Sequence, residues 1–292
     1  MNSITENSIK ENRKIYDILS TVNNIPPVPF IIQEVANLIG NPKTNAAKLG
    51  KIISKDQGLV TKILTVANSP LYGIPRRVST IDFAIVVLGF EQIKNIVIAL
   101  SMMETLKVLG DKKFPQKKYW MHSIITAIAA QRIADDLGYQ TSGEAFTAGL
   151  LHDLGILVIY KIFNNEYKKI TDTVKKNKIA YLEAEEKQLG ITHQEVGGFL
   201  IDKWNLPYSI ADVIYNHHNP SLSENYSELA SLIHLADFMT KKLSIGNFIW
   251  DDSSTLDLNI IDILKLGDEE YLENFIFSYK DLFDSQLNTI KI

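Results

Sequence analysis

The chain has 292 residues, 46% hydrophobic and 22% charged, enough apolar material for one large core or two modest ones and too much for a disordered segment. A net charge of -4, with arginine only at positions 13, 76, 77 and 132, leaves no basic footprint and argues against duplex nucleic acid as the primary partner. Zero cysteines exclude disulfides and thiolate metal sites; no apolar run reaches a membrane span, and the polar opening Met1-Asn2-Ser3-Ile4-Thr5-Glu6 is no signal peptide, so a cytoplasmic protein is expected.

Apolar residues recur at three- and four-residue spacing while alternating patterns are nearly absent, which makes the fold class all-α. Residues 1–24 form a polar, lysine-rich tail with a weak helical pattern at Ile15, Ile18 and Leu19, and Pro26-Pro27-Val28-Pro29 ends any helix there. A first lobe, residues 25–110, is expected to hold five helices. These are Phe30 to Ile39, a segment capped by Thr44 and running through Ser54, Asp56 to Asn68, Thr80 to Leu88 capped by Ser79, and Glu91 to Leu106 after a turn at Gly89. The pair flanking Gly89 has helix-turn-helix proportions but no basic recognition helix, so DNA reading is not expected. The run Gly110-Asp111-Lys112-Lys113-Phe114-Pro115 marks the expected boundary to a second lobe, residues 111–246. Its helices are expected near 117–137, 143–160, 163–177, 179–189, 192–204, 207–218 and 226–243. Residues 247–292 read as a C-terminal helical extension. There Tyr271, Phe275, Ile276, Tyr279 and Leu282 form an apolar stripe expected to dock on the body.

All six histidines fall between His122 and His234, after the expected boundary between the lobes. His122 shares a helix face with Ile125, Ala129 and Ile133 and should point inward. The segment carrying His152 and Asp153 is apolar nearly all round, so Asp153 is a carboxylate in a core and requires a cation, either a metal or a protonated histidine. Gly149 and Gly155, about a turn to either side, leave room for another backbone or a ligand. His193 opens a helix capped by Thr192, His217 and His218 end one before Asn219-Pro220, and Asp237 can add a second carboxylate. Each histidine alone fits a hydrogen-bonded core residue, and His217 or His218 also fits a helix-dipole partner. Together, imidazoles and carboxylates suit a divalent metal of intermediate hardness such as iron, manganese, zinc or nickel.

The tract Ala148-Gly149-Leu150-Leu151-His152-Asp153-Leu154-Gly155, with His193-Gln194-Glu195-Val196-Gly197, Trp204-Asn205-Leu206-Pro207 and His217-His218, resembles an HDOD domain, the HD-related output domain of bacterial signalling proteins. Upstream, Ile25-Pro26-Pro27-Val28-Pro29, Asp56-Gln57-Gly58-Leu59, Ala67-Asn68-Ser69-Pro70-Leu71-Tyr72-Gly73 and Ile81 to Gly89 match that family's first lobe in order and spacing. The likeness covers about residues 20–242 and implies a two-lobed helical fold whose second lobe is similar to HD phosphohydrolases. It also implies a first metal held by His122, His152, Asp153 and Asp237. By likeness to HD-GYP phosphodiesterases, it implies a second metal held by Asp153, His193, His217 and His218. The sequence departs from those enzymes at Ile156, where they carry a lysine, at Asn219-Pro220-Ser221-Leu222, where they carry a Gly-Tyr-Pro loop, and at Lys118, where many carry an acidic residue. An isoleucine cannot stabilise phosphate charge.

The expected function is therefore a stand-alone signal-transduction module, regulatory rather than enzymatic, with an HD-like metal or ligand pocket, one or two divalent ions and no cyclic di-GMP hydrolysis. Its expected partner is a signalling protein or a small nucleotide-like ligand. The alternative is a metal-dependent phosphohydrolase acting on a nucleotide or cyclic dinucleotide, with Asp153 bridging two ions. A third reading is a scaffold that binds another helix along the first lobe or the C-terminal helix.

Overall fold

The computed structural model describes residue 34 and residues 45–105, 114–245, 248, 250 and 255–289. Among these there are helices and no strands. The expected helix Phe30 to Ile39 lies outside the described residues save for Glu34, as do Thr44 and most of the expected lobe boundary.

Three helices of the first lobe begin at side-chain caps. α1 (Ala46–Ile53) starts at Asn45, whose side chain accepts from the Lys48 amide. α2 (Gln57–Ala67) starts at Asp56, which accepts from Leu59. α3 (Ile81–Leu88) starts at Thr80, one residue later than expected from Ser79, because it is the Thr80 hydroxyl that accepts from the Phe83 amide. Gly89, at φ 86°, turns the chain into α4 (Phe90–Thr105). Asn68 closes the intervening loop. Its amide donates to the carbonyls of Leu64 and Val78 and its oxygen accepts from the Val78 amide. Leu49, Ile53, Ile63, Val66, Ile93 and Ile96 fill this lobe's core.

The second lobe is built on α5 (Gln116–Asp136), which packs along α6 (Ser142–Leu151) and later along α12 (Ser227–Lys242). A Cβ at Gly149 would sit 2.8 Å from the Ala127 Cα, so the glycine is where α6 meets the backbone of α5. The expected single helix over 143–160 is two. α6 stops at Leu151 and α7 (Leu154–Ile162) restarts after Asp153, whose backbone at φ -92°, ψ 12° leaves the helical well. The apolar pattern runs unbroken across this point because both pieces are buried on every side. The joint stretch Ser142–Ile162 is long and apolar enough to cross a membrane by composition, but 89% of that window lies inside the fold, as a core element would. Then follow α8 (Asn164–Asn177), α9 (Tyr181–Leu189), α10 (His193–Lys203) and α11 (Tyr208–Asn216), within a residue or two of their expected bounds.

After α12 the chain forms α13 (Ile260–Ile263), α14 (Glu269–Ser278) and α15 (Lys280–Thr289). The apolar stripe expected as one helix is split between the last two, with Tyr279 at the joint. It docks in part: Tyr271 is exposed and Phe275 and Leu282 are half-buried, while Phe283, outside the expected stripe, joins the contact. Ile276, Tyr279 and Phe283 are buried, and the Tyr279 hydroxyl donates to Asp136 Oδ2 at 2.6 Å at the end of α5. Lys242 and Glu273 pair at 2.7 Å alongside. Tyr279→Phe should lower stability in urea melts by about 1 kcal/mol, the worth of one hydrogen bond to a charged acceptor already shared with Arg132. No change would mean that burial of the ring alone holds the extension.

Candidate metal centre

Five segments converge on one buried cluster. α5 brings His122, the α6–α7 break brings His152 and Asp153, the first turn of α10 brings His193, the end of α11 brings His217 and His218, and α12 brings Asp237. None of the seven is more than 6% exposed, so the cluster is enclosed by protein. They fall into two groups whose nitrogen and oxygen atoms lie within 4.8 Å of one another: His122, His152 and Asp237, and Asp153, His193, His217 and His218.

Asp153 faces both. Its Oδ2 lies 3.5 Å from His122 Nε2 and 3.3 Å from His152 Nε2, while its Oδ1 lies 3.5 Å from His193 Nε2 and 3.7 Å from His217 Nε2. Asp237 Oδ1 completes the first group at 3.1 Å from His122 Nε2 and 3.8 Å from His152 Nε2. In the second, His218 Nε2 is 3.2 Å from His193 Nε2.

The ring nitrogens that face outward explain why these imidazoles point as they do. His152 and His217 each follow the last residue of a helix and donate Nδ1–H to the carbonyl three residues back, Gly149 at 2.7 Å and Ile214 at 2.8 Å. Helix C-termini leave such carbonyls without amide partners, so the bond satisfies the helix and fixes the ring together. His193 donates Nδ1–H to the buried Glu185 carboxylate at 2.9 Å, which also accepts from its backbone amide and from the Trp250 indole. His122 Nδ1 lies 3.3 Å from the Thr240 hydroxyl, whose own proton goes to the Asp237 carbonyl. All four thus present Nε2 to the centre, with Nδ1 held by an outer partner, the arrangement found around metal-bound histidines. The Thr192 capping box, with Glu195 accepting from the Thr192 amide, sets the first turn of α10 that aims His193.

Charge and burial work against each other in the cluster. Burial depresses His122, yet the carboxylates of Asp153 and Asp237 outweigh it and lift the imidazole from 6.5 to about 9. Burial would raise Asp153, but His152, His122 and His193 hold it well below the usual carboxylate range. Asp237 is held low, against burial, by Lys241, whose Nζ sits 2.6 Å from Oδ2, and by His122. Burial, followed by the neighbouring imidazoles of His218, His152 and His193, drives His217 well below 6.5 and keeps its lone pair available.

A divalent cation fits this set. Asp153 Oδ1, Asp237 Oδ1 and His217 Nε2 are buried acceptor or ligand atoms that make no hydrogen bond. His122 and His152 turn Nε2 toward Nε2 at 3.3 Å, a contact that needs a cation or a proton between the lone pairs. The sulfur-free donor set suits iron, manganese, zinc or nickel. The sixth histidine is not part of the cluster. His234 donates Nδ1–H to the His217 carbonyl and accepts from the Asp257 amide, clipping the segment after Trp250 to α12.

Sequence reasoning reached the seven residues but not their supports. Glu185 lies among Glu183, Glu186 and other charges on α9, and Thr240, Phe248 and Trp250 carry no local signal. Phe248 stacks on His122 with ring centroids 5.9 Å apart, and Trp250 is sandwiched by Tyr167 and Tyr181 at 4.8 and 4.3 Å. Trp250→Phe keeps the stack and deletes the indole donor to Glu185. It should weaken metal at the His193 group by about 10-fold, the lower end for an outer-partner loss, as read by chelator competition. Unchanged competition would show that Glu185 needs no such support.

The HDOD domain model matches residues 25–220. A crystal structure of an HDOD domain protein of unknown function from Geobacter sulfurreducens superposes with a TM-score of 0.79 at 23% identity, covering 97% of this chain and 98% of that one. A provisionally named phosphohydrolase from Shewanella amazonensis SB2B gives 0.72 at 24% identity, covering 94% and 97%. A provisionally named signal transduction protein from Marinobacter aquaeolei VT8 gives 0.71 at 24%, covering 94% and 61%. At these identities the likeness establishes the fold. Among curated proteins, an uncharacterized protein of Treponema pallidum (strain Nichols) is 24% identical over 271 residues, 92% of this chain, and the chain spans about half (52%) of that relative's length.

Proposed function

The chain belongs to the HDOD family, and on that premise we propose that it is a bacterial, cytoplasmic signal-transduction module whose second lobe carries one or two divalent metal ions in a structural or sensing role. One observation supports this reading: seven enclosed side chains gather in two groups around Asp153, each of whose oxygens turns to a different group. Each ion would be offered four protein ligands, and a set filled by the protein is the mark of metals that hold or report on structure rather than of those that keep a position open for substrate. His122, His152, Asp153 and Asp237 would hold one ion and Asp153, His193, His217 and His218 the other. When bound, such ions supply Lewis acidity and a fixed positive charge.

The surroundings favour regulation over cyclic di-GMP hydrolysis. Ile156 is fully buried where an enzyme would place a cation for phosphate, and Lys241 is engaged by Asp237. The family assignment and the signalling and phosphohydrolase names among its structural neighbours are compatible with either role. The completeness of the ligand set keeps metal-dependent phosphohydrolysis as the second reading. Its ground is the shared carboxylate, which two-metal hydrolases use to space their ions.

Mass spectrometry of metals on tag-free protein purified without chelator tests the first reading. About one to two equivalents of a first-row metal, tightly held, are expected, because binding to such a set is coupled to the fold. Below about a tenth of an equivalent after attempted reloading, with the protein still folded, the metal reading fails. On reloaded protein, bis(p-nitrophenyl) phosphate and cyclic di-GMP should be turned over no faster than by the metal-free chain, and turnover that tracks metal content would replace the regulatory reading with the hydrolytic one.

A further inference from the structure

A cavity of about 910 Å³ lies between the two lobes, away from the histidine cluster. One wall comes from α3 and α4 of the first lobe, the other from the end of α5, the start of α6 and the start of α11. Its size is that of a pocket for a small organic ligand.

Two side chains in its wall are more than nine-tenths buried and only half used. Gln92 Nε2 donates to Gln131 Oε1 at 2.8 Å and to the Tyr72 hydroxyl at 3.1 Å, and Tyr72 donates to the same Gln131 oxygen at 2.7 Å. The three groups lock one another. This leaves Gln92 Oε1, an acceptor, and the Gln131 Nε2 amine, a donor, with no hydrogen bond among the described residues. Gln92 Oε1 and the Asn95 amide both lie against Gly143 in the first turn of α6, 3.7 and 2.5 Å from where a Cβ would be, so a side chain there would crowd the wall. Neither atom is sealed in the protein, since the buried polar atoms that lack a partner are others, so both stay open to an occupant of the cavity that Gln92 and Gln131 line and can offer it one acceptor and one donor.

The rest of the lining narrows the ligand's class. Leu88, Ile98 and Ile210 offer apolar surface from both lobes, suited to a flat ring. Its charges are Lys94 against Asp135 and Glu144, which gives a polyanion no net attraction. Helices α5, α6 and α11 line the cavity at one end and lead to His122, His152 and His217 at the other, so an occupant touches both lobes and the helices of the cluster.

We propose that this interlobe cavity binds a neutral heterocycle of nucleoside size, read at its edge by Gln92 and Gln131, and that it does not select for phosphate. The experiment is isothermal titration of the full chain with adenosine, guanosine, cytidine and uridine, and with their 5′-monophosphates. At least one nucleoside should bind with a Kd below about 1 mM, and its monophosphate should bind more weakly. Gln131→Leu should weaken binding by about 10-fold or more, the loss of a hydrogen bond that leaves the ligand's group unpaired. Because that change also breaks the Tyr72 network, Val87→Trp serves beside it, filling the cavity from a half-buried position on α3. Binding by none of the four nucleosides overturns the proposal. So does binding that survives Val87→Trp, or a monophosphate that binds more tightly than its nucleoside. Occupancy of the cavity and metal content are measured separately, so failure here leaves the metal reading intact.

Discussion

Asp153→Asn is expected to remove metal from both groups at once, while Asp237→Asn removes it from the first group alone. The asymmetry follows from Asp153 turning Oδ2 to His122 and His152 and Oδ1 to His193 and His217, whereas Asp237 reaches only the first pair. Asparagine keeps the volume and one acceptor but removes the charge, so affinity should fall by at least about 100-fold, beyond the range for losing an outer partner. Stability provides a second readout. Metal at 100 times its Kd should raise the stability of the wild-type chain by about 2.7 kcal/mol through linkage, and the variant should gain almost nothing. The metal-free variant should itself be less stable than the metal-free wild type, because His122 would keep one buried carboxylate beside it in place of two. Full metal content in purified Asp153→Asn would remove Asp153 from the ligand set.

How far the sequence carries depends on whether a feature is local. The caps at Asp56 and Thr192 and the turn at Gly89 are short-range chemistry, and the helices they bound fall within a residue or two of expectation. The seven clustered residues stand out because imidazoles and carboxylates in otherwise apolar runs need a cation. The break between α6 and α7 was not legible, since both sides are buried and the apolar pattern never changes phase. What interrupts the helix is tertiary, with Asp153 placed between two groups of imidazoles and the His152 ring bonded to the Gly149 carbonyl. The supports were hidden for a similar reason. Glu183 pairs with Lys187 in solvent and Glu185, two residues on, is fully buried under Trp250, yet both sit in the same acidic stretch. Only the 65-residue separation between Glu185 and Trp250, closed by the fold, tells them apart.

Gly155→Ala should be among the most damaging single-methyl changes in the second lobe. The added Cβ would lie 1.9 Å from the carbonyl oxygen of His193, 2.8 Å from its carbonyl carbon and 2.9 Å from the Gly197 amide. Every atom it meets is backbone, in the first turn of α10, so no rotamer change relieves the clash and the helix itself must move. Gly198→Ala is the useful contrast. Its Cβ would meet the Tyr215 ring at 2.5 Å, and Tyr215 is a half-buried side chain that can swing. Overpacking against backbone should cost about 3 kcal/mol or more, against about 1 kcal/mol for Gly198→Ala. The displacement also has a direction that matters for chemistry. Pushing α10 away from α7 carries His193 away from Asp153, to which it now points at 3.5 Å, while His122, His152 and Asp237 stay on α5, the α6–α7 break and α12. Folded Gly155→Ala protein should therefore lose metal from the His193 group and retain it at the His122 group, separable by stepwise chelator titration. A variant that melts within about 1 kcal/mol of wild type and keeps all its metal would mean that α7 and α10 do not meet through these glycines, and that the second group is not held by that close approach.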